Sequence, residues 1–510
     1  MPKPRDCFRV FVVGGSVGLP YAAARRGHAP KANPALDSLK RLLSQTLAGA
    51  RRIEVIGCAM AGYDSPRERL VVQEIAHYQP DLVILMTGNN ENDRRAPHGP
   101  NPLLRRLFGV LGRSRLLLEI RESLAPWLFA SLTRRPSSLS RGRILKRFEN
   151  NVRAMARACR DAKVPLLVCA LPANLRDWPP QQTMPRRWLD DPVFMSGWIM
   201  AQTGRTRAAV GKLAAASRSS RQDPVPRFYL ARSLEDDRDV ARAKREYERA
   251  LDESFPSWAA TPAINSRLRR IAREEGLVLA DLQEALADVS ANGIPGYDVF
   301  LDHCHWRPGF YPLINATIAE AWARFKGGGA SLERAWRSQL KAARRLAATP
   351  MRDPLRLVPE PLYRSPQQGP CNVDERLVNA LETAGSLDAK SFQKILTPEG
   401  YDAFLKARTP RFAISPRPLA VPPRACFLLN AAEAQRRAGH PRKAEALFME
   451  ALRRRRASLA ARLGLAVSLA QTARHDQALR LFNQLARQHP DHGEIVSWRD
   501  FFFGGDEGEK

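Results

Sequence analysis

Phe8-Arg9-Val10-Phe11-Val12-Val13-Gly14-Gly15-Ser16-Val17-Gly18 is the stretch that decides the fold. Its apolar, β-branched run reads as a buried parallel strand, cut off by two glycines in a tight turn that opens a helix. Glycine lets the backbone bend sharply, and the serine falls beside the first unpaired N–H groups of the next element. Taken alone, the stretch reads first as an ordinary strand–turn–helix joint with Ser16 as a helix cap. The alternative is a nucleophile whose transition-state charge forms where backbone donors already point.

The pattern continues outward. Leu36, Leu39, Leu42, Leu43 and Leu47 mark a helix face, and residues 53–57 form the next strand. The small-residue loop that follows contains Gly62. Residues 81–87 are the clearest strand and end in Gly88-Asn89-Asn90-Glu91. A helix over about 148–163 leads into a strand at 165–172; later come a helix at 264–275, a strand at 277–280 and a closing helix at 310–325. This alternation indicates a parallel sheet with helices on both faces. Ligands of such sheets sit at the carboxyl ends of the strands, so Ser16, Gly62 and Asn90 should gather on one edge.

At 510 residues the chain is expected to hold two or three domains, and its 44% apolar content excludes global disorder. Lys+Arg outnumber Asp+Glu by 81 to 52, a net +29. The excess is mostly arginine spread along the whole chain, with no aromatic-interleaved basic motif, so nucleic acid is not the expected partner. The seven cysteines lack a Cys-x-x-Cys pair and suit a reducing compartment. No secretory pattern and no run of about 18 apolar residues occurs. The expected location is the cytoplasm, with membrane association if an anchor precedes this start site. The apolar, arginine-punctuated stretch 101–132 reads as a helical flap, with peripheral contact to an anionic membrane as the alternative.

Two stretches repeat. Ala209, Leu213 and Ala216 recur 34 residues later as Ala243, Tyr247 and Ala250, and Ala432, Ala444 and Phe448 recur as Ala466, Ala478 and Phe482. Small residues where helices cross, at this period, resemble tetratricopeptide repeats. The expected organisation is an α/β domain over 1–190 and 257–326, interrupted by a repeat pair at 191–256. A Pro/Arg-rich linker with one helical segment at 327–423, repeats at 424–490 and a tail at 491–510 complete it.

Four separate loops hold candidate catalytic groups. Acyl transfer needs a nucleophile, a base, a group that orients the base, and oxyanion donors. Asp302 and His305 stand three apart, a spacing that lets the carboxylate bond one imidazole nitrogen while the other faces Ser16. The backbone N–H groups of Ser16 and Gly62 and the Asn90 amide are candidate oxyanion donors. Asp302-His303-Cys304-His305 also carries metal-ligand residue types, but no second cluster supplies ligands at a familiar spacing, so no metal is assigned.

Gly14-Gly15-Ser16, Gly62, Gly88-Asn89-Asn90-Glu91 and Asp302-x-x-His305 resemble, in order, blocks I, II, III and V of the SGNH (GDSL-type) hydrolase superfamily. The resemblance covers about residues 8–172 and 257–325. It implies a flavodoxin-like three-layer αβα sheet. It also implies Ser16 as nucleophile, His305 as base, Asp302 as orienter, and Ser16, Gly62 and Asn90 as the oxyanion hole, with no cofactor. Asn174-Leu175-Arg176-Asp177 and the inserted repeats are similar to a bacterial subgroup that joins this domain to tetratricopeptide repeats. Two departures stand out: Gly15 replaces the usual Asp of block I, and Glu91 stands where Asp is frequent. His303 competes with His305 for the base role, and the three-residue offset favours His305. The expected activity is hydrolysis of a small acyl ester or an acylated saccharide, with acyl transfer using the same residues and a protein partner on the repeats. The alternative is a weakly active scaffold that presents those repeats.

Overall fold

The computed structural model describes residues 3–4, 6–21, 33–45, 52–91, 141–181, 184–220, 223–254, 257–327, 330–348, 372–397, 399–401, 403 and 424–504. The stretch 101–132, read as a flap, lies outside the described residues. The chain clusters into two compact units. One comprises residues 1–171, 255–282 and 315–332; the other comprises 172–254, 283–314 and 333–510.

The first unit is built on a five-stranded parallel sheet in the order β2-β1-β3-β4-β5. Its strands are β1 (Cys7–Gly14), β2 (Arg52–Ala59), β3 (Leu82–Met86), β4 (Leu166–Ala170) and β5 (Val278–Asp281). β1, β3 and β4 are buried along their whole length, which explains continuous apolar runs in place of alternation. Phe11, Val13, Val83, Leu85, Leu166 and Val168 share one core with helices Ser65–Ile75, Arg141–Asp161 and Pro262–Glu275. The opposite parity is covered too. Phe8 meets Trp322 of the helix Tyr311–Phe325, with ring centroids 6.2 Å apart. In the same helix Asn315 donates to Ala35 O (2.8 Å) and accepts from Tyr21 Oη (2.5 Å), which ties the helix Pro34–Ser44 to the turn after β1.

Buried acids fix the loops at the carboxyl edge. Thr87 Oγ1 donates to Glu68 Oε2 at 2.5 Å, and Glu91 accepts from Ser65 N (2.6 Å) and Ser65 Oγ (2.8 Å). Burial pushes both carboxyls up. Glu68 lies well above its usual range, helped by the nearby Glu91, and Glu91 stands at about 7 although its bonds to Ser65 pull it down.

The second unit is helical. Helices Pro192–Gln202, Thr206–Ser219, Pro224–Asp236 and Val240–Glu253 form two successive hairpins. Helices Arg424–Arg437, Pro441–Arg454, Leu459–Gln471 and His475–Gln488 form two more. The repeated alanines at 209, 243, 432, 444, 466 and 478 are all fully buried at the crossings. The two repeat sets share one core that runs from Trp198, Leu213 and Tyr247 to Leu463, Phe482 and Trp498. Trp198 and Trp498 meet edge to face at 6.3 Å.

Two sequence expectations need correction. Residues 491–510 were expected as a tail, yet Gly493–Phe503 is a helix that buries Ile495 and Trp498 in the repeat core. The stretch 257–326 was assigned to the α/β part, yet 283–314 clusters with the helices. The cause is a set of bonds to the segment after β4. Leu175 N donates to Pro295 O (2.9 Å) and Tyr297 N to Asp177 Oδ2 (2.7 Å). The Tyr297 ring also packs with Leu377, Leu381 and Phe392. In addition, Cys426 is held in a disulfide, so the cysteines are not all free thiols.

Two outcomes follow from this packing. A methyl at Gly464 would fall inside the Phe448 ring, so Gly464→Ala should destabilise the helical unit by about 1–3 kcal/mol in denaturant unfolding, despite its better helix propensity. The raised carboxyls set a pH dependence. The native state keeps protons that the unfolded chain releases above about pH 4.5, so stability falls as pH rises from there through neutrality. Glu68→Gln retains an acceptor for Thr87, and its melting temperature should fall less between pH 5 and pH 8 than that of the wild type. An unchanged slope would contradict the assignment.

Candidate active site

In the first unit three loops converge beyond the strand ends. Ser16 is half-buried and begins a 3-10 turn, Ser16–Tyr21, directly after β1 and Gly15. Gly14 is needed there because an added Cβ would stand 2.6 Å from Met86 O of β3. At Gly15 a Cβ would stand 3.1 Å from Asn90 Nδ2 and 3.3 Å from Tyr63 O. The backbone before Ser16 therefore runs against both the loop after β2 and the loop after β3. These loops are tied to each other, since Asn90 Nδ2 donates to Tyr63 O at 3.1 Å. That bond uses one of the two amide hydrogens. Gly62 and Asn90 both lie in the left-handed region, with φ of 77° and 67°. Asn90 is a non-glycine residue held there, the kind of local strain found at functional turns.

Neighbouring polar residues hold this geometry. Asn89 Oδ1 accepts from Ala260 N at 2.7 Å. Glu91 caps the helix Ser65–Ile75 through the Ser65 backbone, and Asn151 Nδ2 donates to Ser65 Oγ at 3.0 Å. Gly15 fits the crowding by Asn90 and Tyr63, which a larger residue would worsen.

Asp302 and His305 belong to the second unit, and there they form a dyad. His305 Nδ1 lies 2.7 Å from Asp302 Oδ2. Asp302 Oδ1 accepts from the backbone N–H groups of Cys304 (2.9 Å) and His305 (2.8 Å), so the carboxylate closes its own turn and sets the ring that follows. Burial works to raise the Asp302 carboxyl. The hydrogen bond from His305, the nearby His303 and the two backbone donors outweigh it and hold the group well below the usual range. Burial works to lower the His305 imidazole. The adjacent Cys304 sulfur and Asp302 outweigh it, so the imidazole is raised. His303 Nδ1 sits 3.6 Å from Asp302 Oδ1, and its ring packs on Trp178 with centroids 5.4 Å apart. His305 therefore makes the closer contact with the acid.

Sequence reasoning noted Asn174 only as part of a resemblance; the structure gives it a task. Asn174 Nδ2 donates to Asp302 O (3.0 Å), Asn174 N donates to His303 O (3.0 Å), and Asn174 Oδ1 accepts from Asp177 N (3.0 Å). Asn174 is itself buried; two of these bonds clamp the dyad loop, and the third closes the turn of its own segment. The Asn-x-x-Asp spacing is the signal that could have pointed to an Asx-type turn here.

A tetratricopeptide repeat family model matches residues 435–497. No curated protein matches the chain. Among solved structures, a lipase/acylhydrolase from Enterococcus faecalis is similar over 62% of this chain and 96% of its own, at 12% identity and a TM-score of 0.29. An acetyl xylan esterase from Geobacillus stearothermophilus is similar over 63% of this chain and 95% of its own, at 12% identity and a TM-score of 0.31.

Proposed function

We propose that this chain is a serine hydrolase of the SGNH type that cleaves a carboxylic ester, with Ser16 as nucleophile, His305 as base and Asp302 as its orienter. The observation that carries the reading is the 2.7 Å contact between His305 Nδ1 and Asp302 Oδ2 in a loop of defined register. With Nδ1–H donated to Asp302, the neutral ring carries its lone pair on Nε2, the nitrogen that takes a proton. Convergence of Ser16, Asn90 and the loop after β2 supplies the other half of the chemistry.

In this mechanism Ser16 Oγ attacks the acyl carbon and its proton passes to His305 Nε2. The developing oxyanion is received by the N–H groups of Ser16 and Gly62 and by the Asn90 amide. The imidazolium, held by Asp302, returns the proton to the departing alkoxide. Water, deprotonated by the same nitrogen, then releases the acid from Ser16. A saccharide hydroxyl in place of that water would give acyl transfer with the same residues. The acyl ester, simple or on a saccharide, is the substrate class, and the helical repeats are the surface for a protein partner.

Ser16→Ala should reduce hydrolysis of short p-nitrophenyl esters by about a thousandfold or more while leaving the fold intact by circular dichroism. Full activity in that variant would overturn the reading. The raised His305 also fixes a pH dependence. The base must be neutral, so kcat/KM should rise with pH through an inflection above the ordinary imidazole value of about 6.5. Cys304 is the largest influence that raises His305, so Cys304→Ser should move that inflection downward in a pH–rate profile.

A further inference from the structure

Cys304 stands inside the dyad loop, is 1% exposed, and carries a free thiol that the mechanism does not use. Its Sγ lies 3.7 Å from His305 Nδ1, and one ligand atom from each of Asp302, Cys304 and His305 falls within 4.8 Å of the others. No second cluster is needed, because three donors of different chemistry converge within four consecutive residues. We propose that Asp302, Cys304 and His305 bind a thiophilic divalent cation, Zn2+ above all, and that binding switches off the base. The regulatory part rests on the hydrolase reading above; the binding part does not.

The sulfur–nitrogen pair suits zinc. Bonds of about 2.3 Å to sulfur and about 2.0 Å to nitrogen in a tetrahedral site place S and N about 3.5 Å apart. The observed 3.7 Å needs almost no adjustment. Asp302 Oδ2, at 2.7 Å from Nδ1, sits nearer than two ligands of one ion would and must move out by about 0.5 Å. The backbone of the loop stays in place while Oδ2 turns outward about the held Oδ1. Asp302 Oδ1 is held by two backbone donors, and Asn174 clamps the carbonyls of Asp302 and His303. The side chains of His305 and Asp302 are 36% and 24% exposed, which leaves a path for an ion and a water as fourth ligand.

The proton balance explains the switch. Cys304 releases its thiol proton to solvent on binding the cation. The metal takes the lone pair of Nδ1, so the single proton of the neutral imidazole resides on Nε2. That nitrogen then has no lone pair to accept a proton, and the contact with Asp302 is replaced by a shared bond to the ion. Metal binding and base catalysis therefore exclude each other.

The test uses the full-length protein freed of metal by chelation. Titration with Co2+ should show one equivalent bound and a thiolate-to-cobalt charge-transfer band, which Zn2+ then bleaches. Cys304→Ser should lose the band and weaken Zn2+ binding by about tenfold or more, yet hydrolyse ester in metal-free buffer on the high-pH plateau, where the shifted inflection of the base no longer matters. Should Cys304→Ser fold poorly, His305→Ala must shift the band and weaken binding instead. Zn2+ should inhibit the wild type reversibly, with recovery on adding EDTA, and spare Cys304→Ser. A missing band, or one that survives Cys304→Ser, overturns the site. Binding that is lost in Cys304→Ser, in a protein with no ester activity in any buffer, supports the site and contradicts the hydrolase reading.

Discussion

The close approach of β1 to β3 at Gly14 is the constraint on which the first unit's edge depends. A methyl group there would collide with Met86 O, so the strand can end against its neighbour only as glycine. The next residue, Gly15, brings the chain against Asn90 and the carbonyl of Tyr63. Ser16 follows at the start of a 3-10 turn, beside the loops of β2 and β3. Those loops are held in turn by Glu91 on Ser65, Thr87 on Glu68 and Asn89 on Ala260. Each bond is buried, where a lost partner costs the full desolvation of the group left behind. The edge is therefore fixed from beneath by polar contacts rather than by apolar packing alone.

The helical unit does more than carry repeats. It also holds the Asp302–His305 loop. Asn174 clamps that loop, and Asp177 accepts from Tyr297 N. Arg376, at the start of helix Glu375–Leu387, donates to the carbonyls of Pro179 and Pro180 and lies over the Trp178 ring at 5.0 Å. Trp178 in turn packs on His303. A continuous run of contacts thus joins the helix Glu375–Leu387 to the residue next to Asp302. This explains why a segment that the sequence places with the sheet clusters with the helices instead.

Much of this was legible in the sequence, for identifiable reasons. Short continuous apolar runs bounded by glycine, proline or aspartate read as strands buried on both faces, and β1, β3 and β4 are such strands. The 34-residue spacing of alanines is imposed by helix crossings, so it survives as pattern. What was not legible depends on partners far apart in the chain. Nothing near Trp198 announces Trp498, and helix Gly493–Phe503 looks like a tail until its apolar side finds that partner. Glu68 carries no signal in the sequence, and the burial of Glu68 and Glu91 is decided by Thr87 and Ser65, distant in the chain. Likewise the residue types of Asp302-His303-Cys304-His305 are legible, but only the turn closed by Asp302 brings the Cys304 sulfur to His305.

The central claim is that Ser16 is an activated nucleophile served by His305. Labelling of the intact protein with a fluorophosphonate, followed by peptide mapping, addresses it at the reacting atom. A single adduct on Ser16, greatly slowed by His305→Ala in a protein that remains folded, is the predicted result. An adduct on another serine, or none in protein with native circular dichroism, would contradict the account.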